Sequence, residues 1–197
     1  MVRNYTDAQL LKRVEEIDGF KEIPSNYWIL GVRSNEDLSN QFDDKFYIFN
    51  GRRFVMVMIG TTHPGLTILK DYSKFNSLGA AIVKADKWYY NLWVYGMHRG
   101  KIPALIQLGN KITVHRDNNK NGKSEQLGRE YDGYYGINFH LNNYNLSDLS
   151  KKNYINGWSA GCQVPNDASK YNDFITLAKA SKQKFSYCLI NEFNVKP

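Results

Sequence analysis

The sequence predicts a mainly β fold with two or three peripheral helices. Short runs rich in aromatic and β-branched residues recur along the chain, separated by turn pairs such as Asn50-Gly51 and Gly109-Asn110. Clear amphipathic helical spacing is confined to one segment near each end. The chain has 197 residues and a hydrophobic fraction of 42%, which suits one domain with a sizeable core. No repeat, low-complexity tract or interdomain linker interrupts it, so residues 1–197 are expected to form a single domain.

In chain order, Thr6-Asp7-Ala8-Gln9 fits a capping box, with Thr6 as N-cap and Gln9 at N3. Leu10, Leu11, Val14 and Ile17 then share one helical face, and Asp18-Gly19 ends the helix. Residues 1–22 are thus expected to be a helical N-terminal appendage. After a loop at Pro24, Ser25 and Asn26 comes the apolar run 27–32; the polar stretch 34–44 reads as a solvated loop. Strands are expected over 45–49 and 54–60, joined by the Asn50-Gly51 hairpin signal. Shorter strands are expected over 67–70 and 80–83, and the aromatic run 87–95 reads as sheet-associated. Two more strands, 104–108 and 111–115, flank Gly109-Asn110. A strand over 134–140 ends at His140, an amphipathic helix covers 171–180, and 185–190 is a last strand.

The longest apolar run, residues 54–59, is far short of the ~20 residues needed to span a bilayer. Stable membrane insertion is not expected. The N-terminus carries no apolar signal core, so the sequence points to synthesis in the cytoplasm without a signal peptide. The net charge of +7 comes from scattered Lys and Arg, with no recognition helix, zinc finger or RNP-like motif. A nucleic-acid partner is therefore not expected, whereas anionic polymers of a cell wall remain compatible.

The chemistry concentrates in Trp158-Ser159-Ala160-Gly161-Cys162-Gln163, with His140 upstream in Gly136-Ile137-Asn138-Phe139-His140. A thiol of pKa ~8.5 is only a few per cent ionised at neutral pH, so a cysteine nucleophile needs a base or cation beside it. Small residues around the sulfur admit a substrate carbonyl and free backbone amides to bind an oxyanion. Against this stands a plain reading, a buried cysteine in a tight turn. The second cysteine, Cys188, lies in the apolar run 185–190, so a disulfide with Cys162 is not expected.

A strand ending in His, then a loop, then Ser-x-Gly-Cys, resembles the active-site signature of the YkuD-type L,D-transpeptidases of peptidoglycan. The resemblance covers residues 136–164. It implies an L,D-transpeptidase-like β-sandwich, with Cys162 as nucleophile, His140 as its base, and Ser159 and Gly161 as the turn residues of the motif. It further implies that a backbone carbonyl near Ser159 orients the His140 ring and that amides around Gly161 and Cys162 hold the oxyanion. The chain departs from the family at Leu141, where Gly is usual, at Ala160, often His, and at Val164, commonly Arg. This variant is similar to proteins encoded by phages of Bacteroidota, which implies a lysis enzyme acting at the bacterial wall after release. The implied partner is the peptidoglycan stem peptide, cleaved or transferred through a thioester; the alternative is a non-catalytic wall-binding or virion structural protein that keeps the fold. No cofactor is expected.

Further candidates for binding substrate are His63, in a rigid Thr-Thr-His-Pro-Gly bend, His98, in a loop with small residues, and Tyr135, Trp158 and Gln163 beside the motif. His115 is expected to face solvent. Asp117-Asn118-Asn119-Lys120-Asn121-Gly122 matches half of an EF-hand loop, but Gly128 stands where the bidentate Glu belongs, so a polar hairpin loop is expected. The four histidines lack zinc-site spacing, and no metal is assigned.

Overall fold

The computed structural model describes residues 1–36 and 38–194. Over these residues the fold is mainly β, with a seven-stranded sheet, a three-stranded sheet and three helices. The first helix, α1, spans Asp7–Glu15, and both halves of the Thr6/Gln9 capping box are formed. Strands β1 (Tyr27–Arg33), β2 (Asp44–Asn50) and β3 (Arg53–Thr61) follow, then helix α2 (Leu66–Lys70), β4 (Ala80–Val83), β5 (Lys87–His98) and β6 (Ile102–Ile106). The chain continues through β7 (Ile112–Asp117), β8 (Tyr131–Gly133), β9 (Val164–Pro165), helix α3 (Ala168–Ser181) and β10 (Lys184–Asn191).

The large sheet has the order β6-β5-β10-β1-β2-β3-β9, and β4-β7-β8 form the small one. Only β1 and β10 pair in parallel among these strands. The large sheet curls until its edges almost meet. Phe139 closes the gap: it bridges Leu105 of β6 on one side and Gln163, which leads into β9, on the other.

Alternation along the strands feeds two cores. Ile29, Phe46, Ile48, Tyr187 and Leu189 point into the curl, where α3 adds Tyr171, Phe174 and Ala178. Trp28, Leu30, Tyr47, Phe49 and Cys188 point the other way, where Leu10, Leu11 and Val14 of α1 cover them. The N-terminal segment is thus a packed layer of the domain. Val2 donates its amide to the Asp43 carbonyl at 2.9 Å, and Leu10 and Val14 are fully buried. Burying each such side chain contributes about 1.5–3 kcal/mol.

Three elements differ from the sequence-based expectation. Residues 67–70 form helix α2, because Ile68 and Leu69 bury together against Ala80; a run this short has no periodicity to separate helix from strand. The segments 104–108 and 111–115 lie in different sheets, since β6 pairs with β5 and β7 with β4 and β8. The stretch 134–140 is not a regular strand: Gly136 has φ +68°, and pairing survives only at Phe139. The Gln107 side chain instead holds this stretch, its Oε1 accepting the Tyr135 and Ile137 amides at 3.0 Å each.

The polar stretch 34–44 is also less solvated than expected. Asp43 and Asp44 are buried, and Asp44 accepts the Ser34 amide at 2.7 Å and the Thr62 amide at 2.6 Å. Thr62 Oγ1 donates to the same carboxylate and accepts from Arg33 Nε.

Candidate active site

The Cys162 turn is fixed from several sides. Gly65, the N-cap of α2, donates its amide to the Ser159 carbonyl at 2.9 Å. The buried Ser159 hydroxyl donates to the Cys162 carbonyl at 2.8 Å and accepts the Gly161 amide at 3.1 Å. Gly161 has φ +126°, and a Cβ there would stand 2.6 Å from the Ala81 carbonyl oxygen, so only glycine fits. Gln163 ties the turn to the interior: its Nε2 donates to the Gly161 carbonyl at 3.1 Å and its Oε1 accepts the Tyr187 hydroxyl at 2.6 Å. Beside the turn runs Asn138–His140, joined by Gln163 N to Asn138 O at 2.9 Å and His140 N to Gln163 O at 3.2 Å.

Cys162 is half-buried and lines a cavity of about 430 Å³, together with His98, Arg99, Arg116, Tyr135 and Asn138. His98, at the end of β5, stacks on His140 with ring centroids 3.8 Å apart and planes 16° apart. Two sequence-distant imidazoles therefore meet beside the thiol's cavity.

Their hydrogen bonds assign the tautomers. His140 Nδ1 faces the Leu141 carbonyl at 2.9 Å, so this nitrogen carries the proton and Nε2 keeps its lone pair. The Asn138 amide is oriented by its Oδ1, which accepts the Gln107 amide at 2.9 Å. Its Nδ2 thus donates to His98 Nδ1 at 3.0 Å, and neutral His98 bears its proton on Nε2. The His140 ring is oriented by its own neighbour's carbonyl and not by one near Ser159, whose carbonyl accepts the Gly65 amide.

Burial sets the charge states. It lowers the pKa of His140 to about 3, helped by His98 and Arg99, and that of His98 to about 4, helped by Arg99. Burial also raises the Cys162 thiol to about 11, opposed by the Asn138 backbone amide and by Arg99. The resting site holds a neutral thiol and two neutral imidazoles. The thiol donates to the Gly136 carbonyl at 3.6 Å, and no hydrogen bond joins it to either imidazole. Ser159 occupies the Gly161 amide, so that amide is not free to hold an oxyanion as the resemblance implied, and the backbone group that favours charge on the sulfur is that of Asn138.

The other candidates fall in different places. Tyr135 lines the cavity. Gln163 is fully buried and positions the turn, so it cannot touch substrate. Trp158 packs with Tyr144, ring centroids 5.1 Å apart, outside the cavity wall. His63 is buried with its Nδ1 2.6 Å from Ser124 Oγ, also outside that wall, and burial drives its pKa well down. In the 117–122 loop, Asn119 and Asn121 both donate to Glu125 Oε2 at 2.6 Å, and the Glu125 amide donates to Asp117 Oδ2 at 2.9 Å. Cys188 is fully buried and both cysteines are free thiols. Sequence reasoning missed Arg99, Arg116 and Asn138, since nothing in their spacing connects them to Cys162.

Comparison with family models, curated proteins and solved structures finds no match to this chain. No helix among the described residues is long and apolar enough to cross a membrane.

Proposed function

We propose that this protein is a peptidoglycan-acting cysteine enzyme related to the YkuD-type L,D-transpeptidases. The observation that carries the reading is the meeting of Cys162, in its glycine turn, with a cavity walled by one of two stacked imidazoles whose tautomers are fixed. Cys162 Sγ attacks a stem-peptide carbonyl while His140 Nε2 takes the thiol proton, and the carbonyl electrons move to an oxyanion held by the Cys162 amide. Collapse expels the amine, which takes the proton back from His140, and leaves a thioester. Water then resolves it in an endolysin-like L,D-peptidase; a stem-peptide amine would resolve it in a transpeptidase.

Hydrolysis is the favoured outcome. Leu141 and Val164, two of the positions that depart from the family pattern, are fully buried and offer an acceptor amine nothing to bind. Water is abundant, so a transferase must hold its amine at effective molarities of ~10⁵ M or more. Digestion of purified sacculi, with fragments identified by mass, tests the reading. Cleaved stem peptides are expected from the wild type and none from Cys162→Ala, with no sensitivity to zinc chelators. Crosslinked dimers exceeding cleavage products would instead make it a transferase.

The resting thiol near pKa 11, without a bond to imidazole, favours a second reading: a non-catalytic wall-binding or virion protein that keeps the fold. Retention on sacculi without fragment release or a trapped thioester would select it.

A further inference from the structure

The cavity beside Cys162 has a charge asymmetry. Two guanidinium groups, from Arg99 and Arg116, belong to its wall, and no carboxylate does. Arg99 is exposed, so water satisfies it. Arg116 differs: it is a β7 residue only 9% exposed, opposite the small Ala81, with its guanidinium over the Tyr135 ring at 4.6 Å.

Its polar contacts are few. Nη1 reaches the Gly79 carbonyl at a long 3.4 Å, and buried Nε has no acceptor. Among the described residues no carboxylate forms an ion pair with it. A buried cation is costly unless a partner supplies a counter-charge and hydrogen bonds. Burial correspondingly lowers the Arg116 pKa. Arg116 also walls a second cavity of about 260 Å³, whose lining adds Arg129 and again no acid. The cationic surface therefore continues away from Cys162.

We infer that Arg116 is a carboxylate-binding residue of the Cys162 cavity, so that the molecule attacked by the thiol is a peptide bearing a free carboxylate near the reacting carbonyl. The stacked Tyr135 ring fixes the guanidinium plane, which suits a planar carboxylate more than a spherical anion. The inference deepens the cysteine-enzyme reading and rests on it for Cys162 being the attacking group.

Thiol-directed probes test it without any wall substrate. A series of N-(carboxyalkyl)maleimides of increasing chain length is compared with the matching carboxamides, and the rate of adduct formation at Cys162 is followed by mass. The wild type is expected to favour the acid by about tenfold or more at one chain length, the scale of a charge-assisted hydrogen bond. Arg116→Gln should bring that ratio near one, and Arg116→Lys should retain part of it. Arg99→Gln should lower the ratio modestly at every length, as loss of steering does. A wild-type ratio near that of a free thiol at all lengths overturns the inference, whether or not Arg116→Gln folds. So does a peak that persists in a folded Arg116→Gln protein. A peak lost with Arg116 supports the carboxylate site even if sacculi are not cleaved; equal acid and amide rates refute it even if they are.

Discussion

Replacing Gly161 with alanine should damage the protein at the site itself. Its φ of +126° is one that residues with a Cβ rarely adopt, and strain of that kind costs on the order of 1–3 kcal/mol. The new Cβ would also lie 2.6 Å from the Ala81 carbonyl oxygen and 2.7 Å from Ala81 Cβ, both anchored in β4. Overpacking against backbone adds about 1–3 kcal/mol. A turn held in place would therefore lose roughly 2–6 kcal/mol, summing the two effects. A turn that moves instead displaces the Cys162 sulfur and amide, and a displacement of ~1 Å can cost about 100-fold in rate. Urea unfolding of Gly161→Ala measures the first outcome, and sacculus cleavage by the folded fraction the second. Gly157→Ala is the control, because its added Cβ meets nothing within 4 Å and it needs no positive φ. Wild-type stability, to within about 0.5 kcal/mol, together with wild-type activity in Gly161→Ala would refute this account of the turn.

Three further outcomes are expected. Iodoacetamide should label Cys162 and spare the fully buried Cys188. Its rate should climb about tenfold per pH unit from 7 to 10, because a thiol raised from 9.0 to about 11 is some 100-fold poorer in thiolate at neutral pH; a plateau below pH 8 would mean a preformed thiolate–imidazolium pair. Phe139→Ala should cost about 3–5 kcal/mol in denaturant unfolding, since its fully buried ring meets Phe46, Trp93, Tyr171 and Phe174 where the sheet edges join, and a loss under about 1.5 kcal/mol would contradict that packing. Tyr187→Phe strands Gln163 Oε1 in the interior and should lower stability by about 1–3 kcal/mol, read as a shift in the urea midpoint at unchanged slope.

Local patterns made much of the fold legible in the sequence. The Thr6/Gln9 capping box, the 50–51 hairpin and the aromatic strands each have a signature within a few residues. What was not legible depends on partners far apart in the chain. Nothing in residues 104–115 says that β6 and β7 part into separate sheets, because the choice is made by β5 and β4. Likewise, the alternation in 134–140 resembles a strand, but Gly136 and the Gln107 side chain give it another path. In the site, the Ser-x-Gly-Cys motif exposed Cys162, Ser159 and Gly161. The stacking of His98 on His140, the bond from Asn138 that orients His98 and the cationic wall at Arg116 arise only once the sheet has curled.

The electrostatics of the site constrain how it could act. Burial opposes charge on every titrating member at once, raising the thiol and lowering both imidazoles. A resting ion pair would place a thiolate and an imidazolium where neither is well solvated. Stacked rings 3.8 Å apart also discourage protonation of both. Under the proposed mechanism the proton leaves sulfur as the carbon–sulfur bond forms, so that negative charge passes directly to the substrate oxygen. His140 suits that timing: its Nδ1 proton is committed to Leu141, and its Nε2 lone pair needs no prior deprotonation at neutral pH. The resulting imidazolium is transient, and its weak affinity for the proton favours prompt transfer to the departing amine. On this reading the raised thiol pKa is compatible with catalysis. It slows Cys162 toward simple electrophiles at neutral pH and favours reaction with a carbonyl that the cavity has already positioned.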